Sequence, residues 1–332
     1  MPNYVERISK LIDSFPLEID KDIVIAGRPP TSATSEFLTN KEQGDWAERL
    51  VVKAINESTV GYVAVRYGRG DSIAAGDPSF AEFYRSYQEE LNTIGKKPDV
   101  LLFRAGDEPK DAAELDDPTV VGRAIAAIEV RSSSFLCNKY RAAMEGRIAE
   151  AEKRCAELRK KILEEPYASL LEKKNPVILD LLRRATSSSF YAWTFRAISL
   201  PSTTEFRQLS AWMRELRDNI AILHSREMFG ISVGLKEIAL ANRWVLKFGV
   251  PYYYLDAYLD CAYAISLEKL LTIGRDPERE GKDFEVIENE ENAQDLWLKI
   301  CIDECDSILT DVEIISKSPC DCSKFESRQV NS

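Results

Sequence analysis

Two acidic residues and one arginine have the types and spacing of a site that acts on phosphate. Asp99 precedes the apolar run VLLF, and Glu129 and Arg131 end a second apolar run, AIAAIEVR. Residues two apart on a strand share a face, so Glu129 and Arg131 point to one side while Val130 packs on the other. If the two strands are neighbours in one sheet, Asp99 and Glu129 converge at one end.

Converging carboxylates suit a hard divalent cation such as Mg²⁺, which prefers oxygen ligands and keeps several of its waters. The predicted metal-binding positions are Asp99, Glu129 and Val130. Such a cation lowers the pKa of a bound water and neutralises charge on a phosphate, while Arg131 would stabilise the negative charge of the transition state. The sequence therefore predicts magnesium-dependent phosphodiester hydrolysis.

Composition removes several other chemistries. His224 is the single histidine, so a serine–histidine triad or a histidine-ligated zinc centre is not expected. Cys301, Cys305, Cys320 and Cys322 could form a thiolate zinc site, but they lack the CxxC spacing. We expect the first pair, four residues apart, to lie on a partly buried helix face.

The net charge of −11 is concentrated near one end of the chain. Residues Asp276–Glu313 include 14 acidic and 3 basic residues, a net of −11, so the remainder sums to zero. Residues Lys139–Arg217 include 16 basic and 10 acidic residues, a net of +6. This middle region could face phosphate, or its charges could be solvated helix faces.

Hydrophobic periodicity predicts a mixed α/β chain. Helices are expected at residues 4–15, 40–58, 80–95 and 139–163, and strands in VGYVAVRYG, KKPDVLLFR and RAIAAIEVR. YYYLDAYLDCAYAIS returns to strand character before a further helix, and the acidic segment reads as a loop followed by a helix. The chain shows no membrane-length apolar run and no signal-peptide core, which predicts a cytoplasmic protein without membrane contact.

The pattern Pro98-Asp99 followed by Glu129-Val130-Arg131 resembles that of the PD-(D/E)xK nuclease superfamily. The resemblance implies a nuclease core with a central mixed β-sheet flanked by helices. It also implies a supporting role for Glu48 in QGDWAE, because an acid on a preceding helix often completes the metal site in this superfamily. The superfamily usually has lysine where this chain has Arg131, which leaves open whether Arg131 or Lys139 fills that role; we favour Arg131.

Longer segments resemble the AccI-type type II restriction endonucleases. QGDWAERLVVKAIN, VAVRYGRGD, IGKKPDVLLF, AAIEVRSSSF and VPYYYLDAYLDCAYAISLEKLL occur in the same order across residues 40–275. The resemblance implies a magnesium-dependent homodimer that cuts a short palindromic site in double-stranded DNA, one strand per subunit. It further implies a paired DNA methyltransferase.

The resemblance divides the chain into five parts. These are an N-terminal helical segment (1–40), the catalytic core (41–165), a helical recognition and dimerisation region (166–245), a return to the core sheet (246–275) and an acidic helical segment with a tail (276–332).

Polar side chains in or near the basic region are the expected DNA contacts, since arginine and lysine bind phosphate and guanine while glutamine binds adenine. Ser132 and Ser133 could bind phosphate oxygens or cap the following helix. The predicted contacts are Arg69, Ser132, Ser133, Lys139, Arg183, Arg184, Arg196, Arg207 and Gln208. Two alternatives remain at this point: a nuclease that recognises DNA structure rather than sequence, and a catalytically inactive DNA-binding module.

Overall fold

The computed structural model describes residues 3–29, 35–58, 61–68, 75, 77–193, 203–224, 228–288 and 295–309. The helices in these residues are α1 (Tyr4–Asp13), α2 (Ser35–Ser58), α3 (Phe80–Ile94), α4 (Pro118–Val121), α5 (Cys137–Leu163), α6 (Tyr167–Lys174), α7 (Pro176–Arg184), α8 (Thr204–His224), α9 (Leu235–Phe248) and α10 (Leu267–Gly274). The strands are β1 (Tyr62–Arg66), β2 (Val100–Arg104), β3 (Ala126–Ser132), β4 (Gly230–Gly234), β5 (Tyr252–Ala257), β6 (Ala262–Ser266), β7 (Phe284–Glu288), β8 (Leu296–Cys301) and β9 (Asp306–Leu309).

The chain divides into two compact units. The sheet unit consists of residues 1–137 and 229–332, and the helical unit consists of residues 138–228. The sheet unit is built on six strands in the order β1-β2-β3-β5-β6-β9. Strands β3 and β5 run parallel, and the other neighbouring pairs run antiparallel. The predicted α/β class with a mixed sheet is confirmed.

Helices cover both faces of this sheet because its central strands are apolar on both sides. In β2, Leu101 and Phe103 join one core cluster with residues of α1, α9 and α10. Val100 and Leu102 join a second cluster with residues of α2 on the opposite face. A strand buried on both faces is a continuous apolar run rather than an alternating one, which explains VLLF and AIAAI.

The acidic segment differs from its prediction. We expected a loop and a helix, but the described part of this segment contains strands β7, β8 and β9. Strands β7 and β8 join β4 in a second, antiparallel sheet in the order β4-β8-β7. Leu298 and Ile300 are buried while Trp297 and Lys299 are half-buried, which is the period of two that defines a strand with one buried face.

The same finding changes the interpretation of the cysteine cluster. Cys301 ends β8, and Cys305 follows a short 3₁₀ turn (Ile302–Glu304), so the predicted helix face is wrong. Both are reduced cysteines. Cys320 and Cys322 lie outside the described residues.

The helical unit contains α6, α7, α8 and all but the first residue of α5. These helices share an apolar core that includes Leu158, Leu171, Leu182 and Leu216. The helical unit spans residues 138–228, whereas the predicted helical region spans 166–245. The unit begins earlier because α5 contributes to its core. It ends earlier because α9 packs on the central sheet of the sheet unit. Across the described parts of the chain, no helix is long and apolar enough to cross a membrane.

Candidate active site

Asp99 and Glu129 lie side by side because β2 and β3 are antiparallel neighbours. Val100 is paired with Ile128, so the preceding residue, Asp99, continues the register toward Glu129. The Val130 amide donates a hydrogen bond of 2.7 Å to Asp99 Oδ2. The two strands are therefore neighbours in one sheet, which is the condition under which the two acids were expected to converge.

Three carboxylates interact at this end of the sheet. Burial raises the pKa of Asp99 well above its usual range, and the carboxylates of Glu129 and Glu48 raise it further. The Val130 amide and the Lys96 ammonium act in the opposite direction. Like charges in a buried site disfavour ionisation, so a cation bound beside these acids would stabilise their charged forms.

Glu48 reaches the group from α2, which packs on the central sheet through Ala47 and Val51. Arg66 Nη2 lies 2.5 Å from Glu48 Oε2 and 3.9 Å from Asp45 Oδ1. Burial raises the pKa of Glu48, and Arg66 partly offsets this effect. Glu48 is therefore tied to β1 and still interacts electrostatically with Asp99.

A glycine allows the end of β1 to approach Asp99. The amides of Tyr67 and Gly68 donate to the Asp99 carbonyl at 2.8 and 3.1 Å. A Cβ on Gly68 would lie 3.1 Å from Asp99 Cα and 3.2 Å from Asp99 Oδ1. Any side chain at this position would crowd the carboxylate.

Glu129 is buried and has two polar partners. Lys96 Nζ lies 2.5 Å from Glu129 Oε1, and the Tyr252 hydroxyl donates to Glu129 Oε2 at 3.3 Å. Lys96 Nζ also lies 3.4 Å from Glu237 Oε1. Burial lowers the pKa of Lys96, but Glu129 and Glu237 more than offset it and raise that pKa above its ordinary value. Lys96 is thus a protonated cation between two acids.

Arg131 shares the face of Glu129, as predicted, but its guanidinium is held by other groups. It forms an ion pair with Glu237 and donates to the carbonyl of Ser232. Its Cζ lies 5.4 Å from the centre of the Tyr254 ring, in cation–π geometry. Although burial raises the pKa of Glu237, Lys96 and Arg131 lower it below its usual value. We call Lys96, Glu129, Arg131 and Glu237 the ion cluster.

The backbone fixes where Lys96 stands. Helix α3 ends at Ile94, and Gly95 then adopts a φ of +83°. A Cβ on Gly95 would lie 2.1 Å from the Leu240 carbonyl oxygen of α9, so only glycine fits. The Lys96 amide donates to that same carbonyl at 3.1 Å, which anchors Lys96 on the helix that carries Glu237.

Ser132, the last residue of β3, and Ser133, which follows it, both contact β5. The Ser133 amide donates to the Ala257 carbonyl at 2.9 Å, and Ser133 Oγ lies 3.3 Å from Asp256 Oδ1. Burial raises the pKa of Asp256, while hydrogen bonds from Tyr258 and Ser133 lower it. Ser132 pairs with Ala257 in the β3–β5 register.

The predicted DNA contacts do not all belong to the sheet unit. Arg183, Arg184, Arg207 and Gln208 are exposed on α7 and α8 of the helical unit, and Lys139 is exposed on α5. Arg184 forms an ion pair with Asp180. Arg69 and Arg196 lie outside the described residues.

Sequence reasoning missed Lys96, Glu237 and Tyr252. Lys96 carried a usable signal, because it stands three residues before Asp99 in KKPD. Glu237 lies near the start of α9, far along the chain from both cations, and its first-turn position is typical of an ordinary helix cap. Only the packing of α9 on the sheet brings it to the site.

The donor set fits a hard divalent cation in its chemistry. Asp99, Glu129 and Glu48 offer carboxylate oxygens. Burial, and then repulsion from the other two acids, raises the pKa of Asp99, and a bound cation would offset both effects. Among the described residues no group of three or more acidic, histidine or cysteine side chains is arranged as a metal site. In the structure, Lys96 forms an ion pair with Glu129, and the Val130 amide donates a hydrogen bond to Asp99.

Buried carboxylates, a lysine and an arginine at the end of a mixed sheet are the groups of an enzyme that works by charge rather than by histidine or thiol chemistry. The model of the AccI restriction endonuclease family matches residues 3–318, so the chain belongs to that family. It is accordingly a type II restriction endonuclease, a site-specific deoxyribonuclease. No curated protein and no solved structure matches the chain.

Proposed function

We propose that the chain cuts both strands of a short palindromic DNA site in a magnesium-dependent reaction, as a homodimer with one active site per strand. The observation that carries this proposal is the buried pair Asp99 and Glu129 on adjacent strands of a family member. We assign the sheet to the PD-(D/E)xK nuclease core. A cytoplasmic location and a paired DNA methyltransferase belong to the same proposal.

Asp99 and Glu129 would hold Mg²⁺, with Val130 as a third predicted position and Glu48 in support. When bound, the ion supplies charge neutralisation at the phosphate and a lower pKa for water. Hydrolysis joins a water oxygen to phosphorus and breaks one P–O ester bond, and the departing oxygen takes up a proton. Negative charge therefore builds up on the phosphate, where a fixed cation stabilises it.

Two residues of the ion cluster could be that cation. Arg131 is the residue favoured by its position in the motif, and it cannot be deprotonated in proteins. Lys96 touches Glu129 directly. Burial lowers the pKa of Lys96, but its acidic partners more than offset this and favour the charged ammonium.

We propose that the helical unit carries DNA recognition and dimerisation. Its exposed polar side chains are suited to phosphate or base contacts. The residues assigned to DNA binding within this unit are Lys139, Arg183, Arg184, Arg196, Arg207 and Gln208, and Arg69, Ser132 and Ser133 are assigned from the sheet unit.

A plasmid digest tests the proposal. Duplex DNA of known sequence is incubated with the protein in ~10 mM Mg²⁺ or in chelator, alongside Asp99→Asn and Glu129→Gln. Asp107→Asn, an exposed acid in the turn after β2, is the matched control. Discrete fragments that require Mg²⁺, persist in the control and vanish in both site variants are expected.

Other outcomes would redirect the proposal. Nicks at scattered positions would favour a nuclease that recognises DNA structure. Fragments of equal yield in chelator would remove the metal from the mechanism. Intact DNA in all lanes, with bound complexes visible in a gel shift, would leave a DNA-binding module.

A further inference from the structure

We infer that Lys96 is the catalytic cation of this enzyme and that Glu237 is its positioning residue. The motif alone would give the role of the cation to Arg131. The inference rests on the proposed carboxylate-based cleavage at Asp99 and Glu129. It assigns a function to the lysine before the first motif acid and to an acid on α9.

The contacts of the two cations differ. Lys96 Nζ lies 2.5 Å from Oε1 of Glu129, a carboxylate of the proposed metal site. The Arg131 guanidinium is paired with Glu237, donates to the Ser232 carbonyl and stacks on Tyr254. Arg131 is thus committed to groups outside the Asp99–Glu129 pair, because its planar fork is fixed by several partners at once.

The ammonium of Lys96 is suited to a phosphate oxygen. It has three N–H donors, and its two carboxylate partners, Glu129 and Glu237, accept two of them. Within the part of the chain that the structure describes, this leaves a third donor for a substrate oxygen next to Glu129. A lysine acts as a compact point charge, so it can serve a phosphate and a carboxylate from one position.

The fold fixes this lysine in place. Gly95 turns the chain in a conformation that only glycine adopts, and the Lys96 amide is anchored to Leu240 of α9. Glu237, on the same helix, contacts both cations. Glu237 therefore sets the separation between them: it holds Arg131 on one oxygen and Lys96 on the other.

The adjacent lysine gives a matched control. Lys97 Nζ lies 2.9 Å from Glu90 Oε2 and 5.5 Å from the centre of the Tyr67 ring. It has the same charge and a similar exposure, with 23% of its side chain accessible against 22% for Lys96. Its partners, Glu90 and Tyr67, are not members of the ion cluster.

The test measures the single-turnover cleavage rate in Mg²⁺ and the affinity for uncut DNA in Ca²⁺. For Lys96→Met, which keeps the apolar stem, we expect the rate to fall by ~100-fold or more, as for removal of one charge-stabilising donor, with affinity nearly unchanged. Lys97→Met should keep the wild-type rate. Lys96→Arg should recover part of the lost rate because it restores the charge.

Glu237→Gln tests the positioning role. We expect a smaller loss of rate than in Lys96→Met, again without a loss of DNA affinity, since the lysine remains but is held by one acid only. A purely structural role would instead lower the melting temperature without a specific loss of rate. Melting curves of all variants separate these outcomes.

Three results would overturn the inference. If Lys96→Met cuts as fast as the wild type, Lys96 is not the cation, and the proposed function stands. The same conclusion follows if Arg131→Met loses more rate than Lys96→Met under conditions in which both variants are fully folded. A wild-type protein that cuts no DNA in Mg²⁺ would overturn the proposed function and this inference together.

Discussion

The two units of this protein use charge in opposite ways. In the sheet unit, the four members of the ion cluster have 7–27% of their side chains exposed, and each contacts more than one partner. In the helical unit, the Arg184–Asp180 pair is 73% and 56% exposed and joins neighbouring turns of one helix. Burial strengthens the electrostatic interactions within the first group, whereas solvent screens those of the second.

The difference limits what net charge alone reveals. Residues 139–217 carry an excess of basic residues, yet several of these cations are paired with nearby acids. Arg154 contacts Glu157 and Glu215, and Arg217 contacts Asp218. The charge count of this region therefore overstates how many cations remain for the DNA contacts that we propose for the helical unit.

The largest expected effect comes from the carboxylate pair. Asp99→Asn should lower the cleavage rate by about a thousandfold or more, because several kcal/mol of transition-state stabilisation depend on the charged ligand. The same change should raise the free energy of unfolding in chelator by ~1 kcal/mol, because it removes a buried carboxylate and its repulsion from Glu129 and Glu48. The asparagine oxygen can still accept the Val130 hydrogen bond.

Denaturant titration in chelator measures the gain in the free energy of unfolding, and single-turnover kinetics measures the loss of cleavage rate. Asp107→Asn controls for the loss of one charge on an exposed turn. An inactive Asp99→Asn protein that is also less stable than the wild type would show that this carboxylate is structural, and the contrast between the units would lose its main support.

The second prediction asks whether the helical unit depends on its own core. Leu216 of α8 is fully buried there, so Leu216→Ala should lower the free energy of unfolding by ~2–5 kcal/mol. Hydrogen exchange should show faster exchange in α5 to α8 than in β2 and β3. Leu246→Ala, at an exposed position of α9, is the control, and an equal effect of both changes would contradict this prediction.

The third prediction compares the two kinds of ion pair directly. Arg131→Met leaves Lys96 as the remaining cation beside Glu237 and should destabilise the protein by ~2 kcal/mol, below the ~3–5 kcal/mol of a fully buried pair because the site is partly exposed. Arg184→Met should leave the unfolding midpoint unchanged within error. Equal shifts in chemical denaturation would mean that burial does not separate the units as we describe.

The sequence predicted the sheet and its two motif acids because their signals are local. The runs VLLF and AIAAI are long enough to identify buried strands, and each ends or begins at an acid. The strands of the acidic segment escaped prediction because LWLKIC is short and surrounded by charges typical of a helix. Its period of two becomes decisive only when Leu298 and Ile300 are seen against the core.

The ion cluster could not be predicted for a different reason. The motif places Arg131 beside Glu129, but the ion pair of Arg131 is with Glu237, which comes from a helix more than 100 residues further along the chain. Lys96 reaches Glu129 only because Gly95 permits an unusual turn against Leu240. Spacing in the sequence identifies which residues share a strand face, and it says nothing about which distant helix packs on that face.

The smallest expected effect concerns DNA binding by the helical unit. Arg207 is exposed on α8, so Arg207→Ala should weaken binding about equally for all sequences and reduce the slope of log K against log salt by ~1, as for loss of one phosphate contact. Arg217→Ala should change the slope less, because Asp218 already neutralises that guanidinium. Fluorescence anisotropy in Ca²⁺ over a salt series measures both. A sequence-dependent loss with an unchanged slope would instead identify Arg207 as a base contact, and equal slopes for both variants would show that pairing within the unit does not decide which of its cations face DNA.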